Sequence, residues 1–237
     1  MPSGLIRRIK RRLWGEKPVR PVTLRRPTER LGSDYGGWMA VTGQLDAQSV
    51  VYSAGIGMDT SFDEAVISQF GCHVLGIDPT PRAIEYIRTR RASGHLDDRF
   101  ESLPVALGTE DGEATFTLPA SEGQVSGSLD SEAPGLGEQK LHVEVRGLRS
   151  IAAERGHSRI DLLKLDIEGS EYPLIEAFCN DPFPVAQFMF EVHPQFYKDG
   201  RARTERALEG LIGIGYEVFW VSRLAMEYHL ARPDLLR

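Results

Sequence analysis

From Gln48 onward, short apolar runs alternate with amphipathic stretches, and this alternation constrains the fold more than any other feature of the chain. SVVYSAG (49–55), HVLGID (73–78), part of FESLPVAL (100–107), IDLLKLDIEG (160–169) and VAQFMFEVHP (185–194) read as buried strands. Thr60–Phe70, Thr80–Arg91, Ser170–Asn180 and Thr204–Gly213 read as helices between and after them. Ser61 and Glu64 predict a capping box, and Gly71 a left-handed stop. Thr80 followed by Pro81 predicts another helix start, and Pro173 sits where a first turn tolerates it. Repeated β–α units imply a mostly parallel sheet with helices on both faces. YEVFWVS (216–222) and MEYHLA (226–231) are expected to close it as an antiparallel pair. EDGEATFTLPA (110–120) and KLHVEVRGL (140–148) alternate like two further antiparallel strands. The Gly/Ser-rich stretch 121–137 between them reads as a mobile loop, of a length often used for lids.

Charge divides the chain into two parts. Residues 1–30 hold ten Lys/Arg and two Asp/Glu, a net of +8, whereas the remainder carries −14. An acidic body argues against a broad nucleic-acid surface. In LIRRIKRRLW (5–14), Leu5, Ile6, Ile9 and Leu13 share one helical face among basic residues, a pattern suited to peripheral membrane contact or docking on the chain's own domain. Pro18–Pro27 reads as an extended linker, so the expected organisation is a tail and linker over 1–30 and one domain over 31–237. Two cysteines argue against a disulfide scaffold and fit a reducing, cytoplasmic setting. There is no apolar run long enough to span a bilayer.

In open α/β sheets, ligands bind beyond the carboxyl ends of the strands. There the first strand ends in Gly55-Ile56-Gly57-Met58-Asp59, and the second ends at Asp78, 21 residues after Gly57. A glycine turn followed by an acid at that spacing points to a nucleoside-containing cofactor, the acid accepting from ribose hydroxyls. A dinucleotide fingerprint calls for glycine at position 60, where Thr60 stands, so a cofactor with an amino-acid tail suits the loop better: S-adenosylmethionine. The later strands bring Asp166, Glu168, Glu191 and His193 to the same edge. A carboxylate can orient an acceptor hydroxyl, and a histidine of near-neutral pKa can take its proton. The same groups suit a divalent metal such as Mg²⁺ or Mn²⁺, although direct contact with substrate or cofactor is the favoured reading and no metal ligand is assigned.

LLKLDIEGSEYPLIEAF (162–178) resembles the hallmark segment of FkbM-type methyltransferases, and VALGTEDGEATF (105–116) a second segment of that family. VVYSAGIGMDTSFDEAV with CHVLGIDPTP resembles a subgroup in which G-x-G-x-D replaces the usual glycine motif. The resemblance spans roughly residues 31–230 and implies a class I, Rossmann-like methyltransferase fold and dependence on S-adenosylmethionine. It also implies O-methylation of a sugar, glycan or secondary metabolite. By position it assigns Gly55, Gly57 and Asp59 to the methionine end, Asp78 to the ribose, Val105 and Ala106 to the adenine, and Asp166 to the reacting methyl. Tyr35-Gly36-Gly37-Trp38 is expected to close over the cofactor. The competing readings are a nicotinamide-dependent oxidoreductase and a non-catalytic domain anchored by its basic tail. Against the first, no Tyr-x-x-x-Lys pair is present, since Arg90 stands four residues after Tyr86.

Overall fold

A computed structural model describes residues 18–119 and 136–237. The amphipathic segment 5–14 and nearly all of the Gly/Ser-rich stretch lie outside them. A hairpin of β1 (Thr28–Leu31) and β2 (Trp38–Val41) comes first. The αβ core follows with β3 (Val50–Ala54), α1 (Ser61–Phe70), β4 (His73–Ile77), α2 (Pro81–Ala92) and β5 (Phe100–Leu103). A three-stranded sheet then interrupts it: β6 (Ala106–Gly108), β7 (Gly112–Pro119) and β8 (Leu136–Gly147). The core resumes with α3 (Leu148–Glu154), β9 (Ile160–Leu165), α4 (Glu171–Asn180), β10 (Val185–Glu191), α5 (Gly200–Gly213), β11 (Glu217–Val221) and β12 (Glu227–Ala231).

The central sheet has the order β11-β12-β10-β9-β3-β4-β5. Strands β3, β4, β5, β9 and β10 pair in parallel, and β12 runs antiparallel to both β10 and β11. The expected α/β fold with a closing antiparallel pair is therefore present. Alternate residues of each central strand feed two cores. On one face, Tyr52, Leu163, Leu165 and Phe188 pack with Ile175 and Phe178 of α4 and Leu208 and Leu211 of α5. On the other, Val51, Val74, Leu162 and Met189 pack with Phe62, Val66 and Ile67 of α1, Ile87 of α2, and Leu31, Trp38 and Val41 of the hairpin. Among the described residues, no helix is long and apolar enough to cross a membrane. Cys72 and Cys179 are free thiols.

Some local expectations are corrected. The capping box does not form: the Ser61 amide donates to the Asp59 carboxylate (2.7 Å), and Glu64 instead accepts from the Thr60 hydroxyl (2.5 Å) and from Arg90. Gly71 does close α1 in the left-handed region, and Thr80 does cap α2, accepting from the Ala83 amide. Helix α5 starts four residues before the expected Thr204, at Gly200, where a side chain would run into the Pro194 carbonyl. Residues 18–27 are extended but docked. The amides of Thr23 and Leu24 both donate to the Val218 carbonyl, and Arg20 pairs with Glu205 and Glu209 of α5. The boundary expected at residue 31 falls inside β1.

The hairpin is fastened to the sheet by His229 of β12. Its Nδ1–H donates to the Met39 carbonyl (2.8 Å), and its ring stacks on Trp38 at 5.1 Å and lies 4.6 Å from Trp220. Burial pushes its pKa down to about 3. The unfolded chain therefore takes up a proton below pH 6.5 that the folded chain refuses, and stability is lost as pH falls. Between pH 7 and pH 5 this group alone is expected to cost about 2 kcal/mol. Chemical denaturation at both pH values should show that loss shrinking in His229→Phe; an unchanged pH dependence would remove His229 as its source.

Candidate active site

A cavity of about 450 Å³ opens at the carboxyl edge of β3, β4, β9 and β10, within the size range of small-molecule sites. Its floor is the loop 55–59. Gly55 (φ +80°) and Gly57 (φ +56°) take the left-handed conformation that only glycine adopts freely. A side-chain carbon on Gly55 would sit 1.7 Å from the Asp166 carbonyl oxygen, so this glycine lets the ends of β3 and β9 meet. The Asp166 amide donates to Ala54 O (3.0 Å), and Lys164 Nζ donates to Gly55 O (2.7 Å).

Asp78 holds this loop from the β4 side. Its Oδ2 accepts from the amides of Ile56 and Gly57, both at 2.9 Å. Its Oδ1 accepts from the Thr80 amide (2.8 Å) and hydroxyl (2.6 Å). Two acceptor positions per oxygen are thus engaged. Asp78 lines the cavity as expected, but a ribose hydroxyl has to exchange with one of these four donors. Asp59 lines the cavity too, and its carboxylate caps α1 and meets Ser33 Oγ at 3.3 Å.

The turn Tyr35-Gly36-Gly37-Trp38 borders the same cavity. Arg30 donates to the carbonyls of Ser33 and Asp34, and the Gly36 amide donates to Ser33 Oγ. Tyr35 projects from this braced turn with 93% of its surface exposed. Of the pair expected near an adenine, Ala106 lines the cavity, while the Val105 side chain packs into the core beside it.

The far wall is acidic: Asp166, Glu168, Glu191 and Glu227. With Asp59, Asp63 and Asp78 they face Lys164, the one basic side chain lining the cavity among the described residues. Glu191 and Glu227 stand directly opposite across β10 and β12, where like charges repel. Burial, reinforced by Asp166, pushes the Glu191 carboxyl up to about 8, and the same two causes raise Glu227. Burial also raises Asp166, against the pull of Lys164 and His193.

His193 lies behind this wall rather than on it. Its Nε2 is 3.2 Å from Glu168 Oε2 and 3.9 Å from Asp166 Oδ1, and its Nδ1 is 3.3 Å from Glu171 Oε1. Burial alone would lower its pKa, but Glu171, Glu168 and Asp166 outweigh burial and raise it to about 10. The expectation of a near-neutral histidine serving as free base is therefore corrected. A ring held protonated between carboxylates has no lone pair to offer.

Several site residues were not singled out from the sequence. Glu171 is fully buried and accepts from the amides of Ile167 and Gly169, both at 2.7 Å. Buried Asp63 borders the cavity, and Lys164 extends to 5.2 Å from the Trp38 ring. Lys164 carried a signal, being the one basic residue within IDLLKL. Glu171 carried one too, as the last acid of the DIEGSE string in the hallmark segment, whereas Glu227 carried none, a strand-end glutamate being an ordinary surface feature.

The family model described as Methyltransferase FkbM domain matches residues 51–218. The chain is 26% identical over 148 residues to a probable methyltransferase-like protein 24 of Rattus norvegicus, and 25% identical to its Homo sapiens counterpart. These matches cover 62% of this chain and 33% of each relative, so the chain spans about a third of the curated relatives it matches. Similar solved structures include the N-terminal domain of human METTL16 in complex with SAH (13% identity, TM-score 0.43, 78% of this chain and 62% of that one). Another is Aeropyrum pernix fibrillarin with S-adenosyl-L-methionine (10% identity, TM-score 0.40, 81% and 68%).

The strand-end junction yields a paired test. Gly55 and Gly43 both have positive φ, but nothing lies within 4 Å of a side-chain carbon on Gly43. Gly43→Ala is expected to cost about 1 kcal/mol from backbone conformation alone. Gly55→Ala should cost about 3 kcal/mol or more, because the Asp166 strand end has to move. Equal costs by urea denaturation would show that the close approach is not a constraint.

Proposed function

The chain belongs to the FkbM methyltransferase family, and from that premise we propose that it methylates a hydroxyl of an uncharged sugar, glycan or secondary metabolite, using S-adenosylmethionine. The observation that carries this reading is the cavity itself. A glycine loop held by Asp78 faces a wall of carboxylates at the carboxyl edge of a parallel sheet. The residues fit the cofactor chemically: an excess of carboxylates over a single engaged lysine favours a sulfonium and an ammonium. When bound, S-adenosylmethionine supplies a methyl group that an attacking oxygen can displace from sulfur.

The remaining roles fall to the chain. Gly55 and Gly57 leave room for the amino-acid end, and Asp78, at the expense of one of its present donors, takes the ribose. Ala106 borders the base. Asp166 faces the reacting centre. Glu191, once ionised above its raised pKa of about 8, orients the acceptor hydroxyl and receives its proton, the role that His193 is too tightly paired to fill. The acidic wall repels phosphorylated or carboxylated acceptors, which supports an uncharged one. Much of catalysis in such a site is positioning.

Isothermal titration with S-adenosylhomocysteine, with NADH as control, tests the cofactor. Micromolar binding of the first alone is expected, and binding of NADH alone would return the oxidoreductase reading. Glu191→Gln should then lower turnover by about 10²–10⁴ while leaving S-adenosylhomocysteine affinity intact. Turnover within twofold of the parent would move proton removal to another group.

A further inference from the structure

Lys164 is a buried cation that the chain itself does not pair with an anion. It lies two residues before Asp166 near the end of β9, is 6% exposed and lines the cavity. An ammonium carries three donors and no acceptor. One donor goes to Gly55 O at 2.7 Å, and Nζ lies over the Trp38 ring, 5.2 Å from its centroid. Among the described residues, no carboxylate comes within ion-pair distance of Nζ, and Asp63 and Asp166 feel its charge only at longer range. Burying a charge is costly unless an opposite charge meets it.

We propose that Lys164 receives the carboxylate of the amino-acid end of S-adenosylmethionine, an assignment that rests on the cofactor reading above. The backbone amides that such a loop could otherwise offer to an anion are already spent. Those of Ile56 and Gly57 donate to Asp78, and that of Ser61, at the start of α1, donates to Asp59. Lys164 is the one basic side chain left lining the cavity among the described residues.

Position agrees with charge. The bond to Gly55 O fixes Nζ beside the loop whose left-handed glycines leave room for that end of the cofactor, and leaves two donors for it. A zwitterion fits this division: its ammonium suits the surrounding carboxylates, and its carboxylate meets the lysine. Without Lys164 the same acids would repel that carboxylate. Lys164 thereby selects against nucleosides that end in an amine alone.

The test is isothermal titration of the full-length protein with two ligands. One is S-adenosylhomocysteine. The other is its decarboxylated analogue, S-adenosyl-3-thiopropylamine, which keeps the nucleoside, the thioether and the amine. The parent is expected to prefer the first by about tenfold or more, and Lys164→Gln should abolish that preference. A lysine that only braces Gly55 predicts instead that both ligands weaken alike and the preference survives. Thermal melts accompany the variant. Should it fail to fold, nuclear magnetic resonance of the [¹³C]lysine-labelled parent decides. The Lys164 Cε signal, marked by the ring current of Trp38, should move with S-adenosylhomocysteine and stay with the analogue. Equal affinity of the parent for both ligands, a preference that survives Lys164→Gln, or a signal that moves alike with both overturns the assignment while leaving the cofactor reading. Binding of neither ligand by the parent removes both.

Discussion

One carboxylate sets the geometry on which the rest of the site depends. Asp78 gathers four donors from two loops, joining the turn after β3 to the start of α2. Charge-assisted hydrogen bonds of this kind are among the stronger ones a protein makes. Here they stabilise two left-handed glycines and hold the N-terminal end of α2 against the cavity. The cofactor loop is thereby preorganised, at the cost of filling the acceptor positions that a ligand also wants.

The second constraint is electrostatic. Seven acids line the cavity, two of them facing each other across neighbouring strands. Such a concentration opposes folding, because buried like charges must either protonate or find a partner. The structure answers partly by raising the pKa values of Glu191 and Glu227 and partly by bringing Lys164 and His193 close to Asp166. A site that tolerates this much repulsion is organised around positive charge that arrives from outside.

The sheet was legible in the sequence because buried parallel strands are near-continuous apolar runs, and IDLLKL and VAQFMF are little else. The closing antiparallel pair and the Thr80 cap were legible for similarly local reasons. The β1–β2 hairpin was not. Its strands are four residues each, and what holds them is remote: His229 on Met39, and Gln187 accepting from the Val41 amide. The Ser61 capping box failed for a related reason, since Asp59 reached the same amide first. In the site, residues at strand ends could be placed by topology alone. Their protonation could not, because it depends on how many carboxylates converge on one imidazole, and Glu171 reaches His193 from the helix after β9.

The position of β12 carries a consequence for biosynthesis. It follows β11 in the chain but lies between β11 and β10. As the chain leaves the ribosome, β11 emerges with no neighbour in the central sheet to pair with, and its edge stays open until β12 slots in beside β10. That late insertion also delivers Glu227 to the cavity and His229 to the hairpin made some two hundred residues earlier. One strand thus links the hairpin, the acidic wall and the β10 edge. A nascent chain halted before β12 would expose an unpaired strand and an unfinished pocket together, leaving quality control one unambiguous mark of an incomplete enzyme.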